Sequence, residues 1–151
     1  MRTTDHTGTT VVHIDGERAL RLLLDVVTEH GAEHVYIYHP GGHLSCRYVW
    51  DGCPDCLVGR ALHLAGVPVH ALQQLDADPD TCAIGQADVV GAEFTGEARW
   101  ILSAAQGRQD SGDRWGDAVG KAAATAEQLG VDPSVVDDVR RGLDALRGGR
   151  S

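Results

Sequence analysis

The sequence predicts an α+β domain of two layers, in which a small, mostly antiparallel sheet of three strands is packed by four to six helices. Three observations carry that prediction. Short runs between residues 10 and 50 are rich in β-branched and aromatic side chains, and the last of them alternates apolar with polar or smaller residues. Three segments beyond residue 94 each show an amphipathic stripe behind their own capping residue. A chain of 151 residues, 42% of them hydrophobic, can bury a core of its own, so residues 10–147 are read as one domain.

Residues 1–9 are polar and read as a flexible leader, and residues 148–151 as a flexible tail. Thr10 to Ile14 reads as a strand. Asp15 then supplies a cap carboxylate for a helix whose stripe is Leu20, Leu23, Leu24 and Val27, and Gly31 stops it. His34 to His39 and His43 to Trp50 read as a hairpin turning through Pro40, Gly41 and Gly42, with Leu44, Cys46, Tyr48 and Trp50 on its buried face.

Asp51 and Gly52 turn the chain, and Pro54 is placed as the first residue of a helix that turns Leu57, Ala61, Leu62 and Ala65 inward. Gly66 closes that helix and Pro68 prevents its continuation. Between Val69 and Glu93 the signals are mixed: a short helix over 70–75, an acidic loop over 76–79, and no assignment for Cys82.

Thr95 opens a helix with Ala98, Ile101, Leu102 and Ala105 inward. Asp113 opens one with Trp115, Val119, Ala122 and Ala126, and Asp132-Pro133 one with Val136, Val139, Leu143 and Leu146. These three helices are expected to cover the apolar face of the sheet.

The formal charge is -9, from 22 acidic and 13 basic side chains. The one adjacent basic pair, Arg140 and Arg141, sits among Asp137, Asp138 and Asp144, so no nucleic-acid partner is expected. No run reaches the length of a membrane span and the first residues do not resemble a signal peptide, so a cytoplasmic chain without a membrane partner is expected. In that compartment the four cysteines, Cys46, Cys53, Cys56 and Cys82, are thiols.

Cys53-Pro54-Asp55-Cys56, set where a turn runs into a helix, resembles the Cys-Pro-x-Cys site of glutaredoxins and thioredoxin-like proteins. A thiol at a helix N-terminus is favoured as thiolate, so the motif suggests an oxidoreductase with Cys53 attacking and Cys56 resolving. The later hairpin proline of those folds has no counterpart here.

The same thiols with Cys46 and a histidine, His43 or else His39 or His63, form a candidate tetrahedral zinc site. The second cysteine pair of a strong zinc signature is absent, and Cys46 also fits as a small apolar residue on the strand. The first expectation is therefore no cofactor, with zinc the alternative. The His-x-Glu of zinc deaminases is missing, His13-Ile14-Asp15 being the nearest approach, and no phosphate-binding loop or serine-hydrolase elbow is present. All eight histidines precede residue 71 without ligand spacing and read mostly as solvated residues.

Gln106, Gln109, Asp110 and Trp115 gather amides, a carboxylate and an indole at a tight corner between helices. They suit a small polar ligand or the backbone of a partner. The alternative is that Gln109 and Asp110 satisfy backbone groups of the corner while Trp115 packs.

Two stretches run from Cys46-Arg47-Tyr48-Val49 through Asp55-Cys56-Leu57-Val58-Gly59 to Gly66-Val67-Pro68, and from Ala105-Gln106 through Gln109-Asp110 to Trp115-Gly116. Together they resemble a set of short proteins encoded by actinobacteria and their phages. That resemblance brings no activity with it. It implies counterparts for Cys46 and Cys56 but often none for Cys53, which weighs against a shared redox couple.

By analogy with small phage proteins, the expected role is non-catalytic binding of a host protein or a small polar or anionic ligand, in a phage accessory or counter-defence setting. The candidate pocket is Arg47, Asp55, Gln106, Gln109, Asp110 and Trp115, with Arg47 for anionic groups, the amides for polar recognition and Trp115 for stacking. A homodimer remains open.

Overall fold

The computed structural model describes residues 2–4, 10–37, 48–77, 84–85 and 88–148. Among these the chain is mainly helical, with six helices and a small sheet. The strands are β1 (Arg2–Thr4), β2 (Thr10–Ile14), β3 (Val49–Trp50), β4 (Cys53–Pro54) and β5 (Ala92–Phe94). The helices are α1 (Gly16–His30), α2 (Leu57–Ala65), α3 (Val69–Ala77), α4 (Gly96–Asp110), α5 (Trp115–Gln128) and α6 (Pro133–Gly148).

The sheet has the order β1-β2-β5. β1 runs antiparallel to β2, with Arg2 opposite Val12, and β2 runs parallel to β5, with Val12 opposite Ala92. Burial alternates along β2, where Val12 and Ile14 are buried and His13 is exposed. Both parallel strands lead straight into helices capped by short polar side chains. Asp15 Oδ1 accepts from the Arg18 N–H at 2.9 Å, and Thr95 Oγ1 from the Ala98 N–H at 3.1 Å.

This corrects the predicted sheet. It is mixed and not mostly antiparallel, and two of its three strands lie outside the strands expected. The stretch expected to be a flexible leader contributes β1, and the stretch with mixed signals contributes β5. The predicted hairpin is also corrected where it can be seen. Residues 34–37 form no strand beyond an isolated antiparallel bridge from Val35 to Arg114, and residues 38–47 lie outside the described ones.

The second run keeps only Val49–Trp50, and it pairs with the residues just after it. Asp51 (φ 54°) and Gly52 (φ 76°) form a two-residue turn, the tight connection that an Asp-Gly dipeptide supports, and Trp50 lies opposite Cys53. Pro54 is consequently a strand residue, and α2 begins three residues later behind Cys56.

Helix packing centres on α1. Its buried residues include Leu20, Leu22, Leu23, Val26 and Val27, more than one face of the cylinder, and α2, α4, α5 and α6 all pack against it. The C-terminal helices therefore cover α1 as well as one another, and not chiefly the sheet as the sequence suggested. The predicted stripes of α1, α2, α4, α5 and α6 are buried as expected, apart from Leu24 and Leu146, which are partly buried against the core. α5 offers alanines, Ala118, Ala122, Ala123 and Ala126, and such small residues let it approach α4 closely.

Among the described residues, an especially close approach is at Gly59, in the first turn of α2. A Cβ there would stand 2.5 Å from the Tyr48 carbonyl oxygen. By contrast, a Cβ on Gly120, inside α5, would meet nothing within 4 Å. We expect Gly59→Ala to destabilise the fold by more than about 2 kcal/mol in urea denaturation and Gly120→Ala to stabilise it by roughly 0.5–1 kcal/mol. Equal effects at the two positions would contradict the packing described.

Candidate functional site

The side chains singled out from the sequence occur where α4 ends, α5 begins and α2 begins. Gln109, on the last turn of α4, is only 1% exposed. Its Oε1 accepts from the Leu57 N–H at 2.8 Å, and its Nε2 donates to Asp110 Oδ1 at 3.0 Å. A helix leaves its first N–H groups unpaired, and here a distant side chain satisfies one of them inside the core. One turn earlier, Gln106 is also buried. Its Nε2 donates to the Tyr48 hydroxyl at 2.6 Å and its Oε1 accepts from the Ile84 N–H at 3.1 Å.

Asp55 is partly exposed and accepts from the Tyr36 hydroxyl at 2.6 Å. Its backbone N–H donates to the Tyr48 carbonyl at 2.9 Å. Asp76, at the end of α3, accepts from the Tyr48 and Val49 N–H groups, each at 2.9 Å. The segment from Tyr48 to Leu57 is thus pinned by the Asp76 carboxylate of α3, the two amides of α4 and the Tyr36 hydroxyl.

Trp115, the first residue of α5, is fully buried. Asp113 was expected to cap this helix, but Arg114 holds the cap position and provides no side-chain hydrogen bond. The first-turn N–H groups turn instead to the segment after α1: Trp115 N–H donates to the His34 carbonyl at 2.7 Å and Gly116 N–H to that of Ala32 at 2.9 Å. The His34 ring meets the indole edge-on at 4.3 Å between centroids, and His30 lies at 5.9 Å. Among the described residues, the indole N–H of Trp115 is buried without a hydrogen-bond partner, a deficit of roughly 1–3 kcal/mol.

Both histidines are held below the ordinary histidine range. Both lie on the surface, so the effect comes from partial shielding; for His34 the cause is first that desolvation, then repulsion from His30 and Arg60, against the attraction of Asp55. For His30 it is desolvation and then Arg60, against Glu29.

The structure therefore brings Gln109, Asp110 and the chain just after Asp55 together, sets Trp115 beside them under His34, and places Gln106 one turn away, toward Tyr48 and Ile84. Arg47 lies outside the described residues. Both amides are occupied at both ends by the fold: Gln109 satisfies a backbone N–H and Trp115 packs, as in the alternative above, while Asp110 meets the Gln109 side chain and Gln106 is used in the same way.

Cys53 is exposed on β4, not at a helix terminus. Cys56 is buried and is itself the cap of α2, its Sγ accepting from the Gly59 N–H at 3.3 Å. The helix field expected at the attacking thiol thus falls on the buried one. Cys46 and His43 of the candidate zinc site lie outside the described residues, among which no group of three or more His, Cys, Asp or Glu is disposed to hold a metal. Among the described residues no helix is long and apolar enough to cross a membrane.

One residue with a prominent place on the surface was missed. Trp100, on α4, is 66% exposed, whereas Ile101 and Leu102 beside it are fully buried. The signal was present, because Trp100 falls off the stripe assigned to that helix. Trp100 lines a cleft of about 370 Å3 together with Gly85, Gly96, Arg99 and Ser103. Arg99 forms one wall, its guanidinium 4.9 Å from the Phe94 ring and its Nη1 donating to the Ile84 carbonyl at 3.2 Å.

No protein-family model, curated protein or solved structure matches the chain.

Two measurements test this description. Gln109→Ala should lower unfolding stability by about 2–3 kcal/mol, because it strands the buried Leu57 N–H; a loss under about 0.5 kcal/mol would show that the bond contributes little. Site-resolved thiol labelling should modify Cys53 in the native protein and Cys56 only on unfolding, and equal labelling would refute the burial of Cys56.

Proposed function

We propose that this chain is a non-catalytic binding protein that takes a protein partner on the outer face of α4, with Trp100 as the anchor. The observation that carries the reading is the two-thirds exposure of that indole at the lip of a cleft. Leaving so much of a tryptophan in water forgoes on the order of 3 kcal/mol of burial energy, which a partner's surface can recover. Tryptophan and arginine are also the side chains that most often dominate the energetics of protein interfaces.

The cleft wall is suited to docking, since Arg99 is held by Phe94 and Ile84 and loses little freedom on binding. The chain's charge of -9 favours a partner with a basic face. In the setting implied by the resemblance to phage and actinobacterial proteins, that partner is a host protein. A small polar ligand at the corner of Asp55, Gln109 and Asp110 is the weaker reading, because the amides meant to recognise it already have partners within the fold.

A photo-crosslinking amino acid at position 100, in protein expressed in an actinobacterial host, should trap one protein species in excess over the same probe at the exposed Leu129. Trp100→Ala should abolish complex formation with that species while shifting stability by less than about 0.5 kcal/mol. Equal adducts from the two probe positions would remove the proposal. Adducts between two copies of the chain would replace the host partner with self-association.

A further inference from the structure

The seam between the end of α1 and the start of α5 is built from groups whose state depends on protons. Its backbone part consists of the Trp115 and Gly116 N–H groups bonded to the His34 and Ala32 carbonyls, with Val35 bridging Arg114. Packing there is tight. A Cβ on Gly116 would stand 2.8 Å from that of Ala32. The side-chain part is the buried Trp115 indole with two histidine rings against it.

Arg60 contacts one of those rings. Its Nη1 lies 3.3 Å from His30 Nε2. A guanidinium has only donors, so this contact is a hydrogen bond only when His30 Nε2 accepts, which requires the neutral ring. A proton arriving at Nε2 removes that bond and sets two cations face to face. Among the described residues the His34 ring makes no side-chain hydrogen bond to a carbonyl or carboxylate, and its contact is with the indole.

We propose that this corner is a proton-sensitive seam: protonating the His30 and His34 pair parts the segment 32–35 from the first turn of α5 and brings the Trp115 indole into water. The charged groups around the pair are few. Glu29, on α1, and Asp55, before α2, favour the protonated rings, whereas Arg60, on α2, opposes them. Glu33 is already paired with Arg114 at 3.0 Å. The partnerless indole N–H means that the closed seam lacks a polar bond that water would supply on opening.

The sign follows from the direction of the shifts. Both histidines bind protons less readily in the folded chain than in the unfolded one. Their contribution to stability is therefore complete above the ordinary histidine value of about 6.5 and is lost as the pH falls below it.

The chain has three tryptophans, so a Trp50→Phe, Trp100→Phe variant reports on Trp115 alone. Between about pH 7.5 and 5 its emission should move reversibly to the red, with a midpoint below about 6.5 and unchanged far-UV ellipticity. Adding His30→Gln and His34→Gln should flatten the titration. The unsubstituted protein, labelled with 15N-tryptophan, gives a second measurement that needs no variant. The Trp115 indole proton should exchange with water at least about tenfold faster at pH 5 than at pH 7.5, after correction for intrinsic rates. Emission that stays constant, a red shift that tracks the loss of helix, or unchanged indole protection would each overturn the proposal.

Discussion

Helix α4 carries two carboxamides into an apolar interior, one turn apart, and each must find partners for both a donor and an acceptor. Gln109 reaches the Leu57 N–H at the start of α2, and Gln106 reaches Tyr48 and the Ile84 backbone. These bonds join parts of the chain 22 to 58 residues apart and leave little tolerance for sliding. Because the groups are buried, a small displacement exchanges a satisfied amide for an unsatisfied one. Tyr48 is held in turn over Gly59, which has room for it only because it lacks a side chain. The Asp51-Gly52 turn and the start of α2 follow from that placement.

The same constraint divides the surface from the interior in a way that bears on function. Polar residues of a kind often found in ligand sites are turned inward and used by the fold. The largest aromatic residue on α4, Trp100, is turned outward, though an aromatic side chain would ordinarily be drawn into the core. Its position beside a cleft with a fixed arginine gives the outer face of α4 the character of a contact surface, and the buried face of the same helix that of a scaffold. The α1–α5 corner differs from both. There the helix start is satisfied by the backbone carbonyls of His34 and Ala32 and not by a side-chain cap.

Much of this was legible from local patterns. Asp15 and Thr95 cap helices where expected, the stripes of α1, α2, α4, α5 and α6 are buried, and the glycines after α1 and α2 take positive φ values. Strand partners were not legible. β1 and β5 are three residues each, too short for an alternation to register, and their identity comes from pairing with β2, which for β5 lies about eighty residues away in the chain. Cys53-Pro54-Asp55-Cys56 was placed one turn too early in the helix, since a proline is acceptable both at a helix start and on a short edge strand. The roles of Gln106 and Gln109 were open for a related reason. A glutamine at a helix end reads the same whether its partner is a ligand or a backbone N–H half a chain away.

The sequence by itself therefore determined which of the long segments are helical, which faces they bury, and where α1 and α4 begin, because each of these depends on neighbours within a few residues. Tertiary structure alone decided which strands meet, which N–H group receives the Gln109 amide, and that α1 and not the sheet stands at the centre of packing. Those choices are made by contacts between distant residues, where the requirement to satisfy every buried polar group and fill every gap selects one arrangement among several that local preferences allow equally.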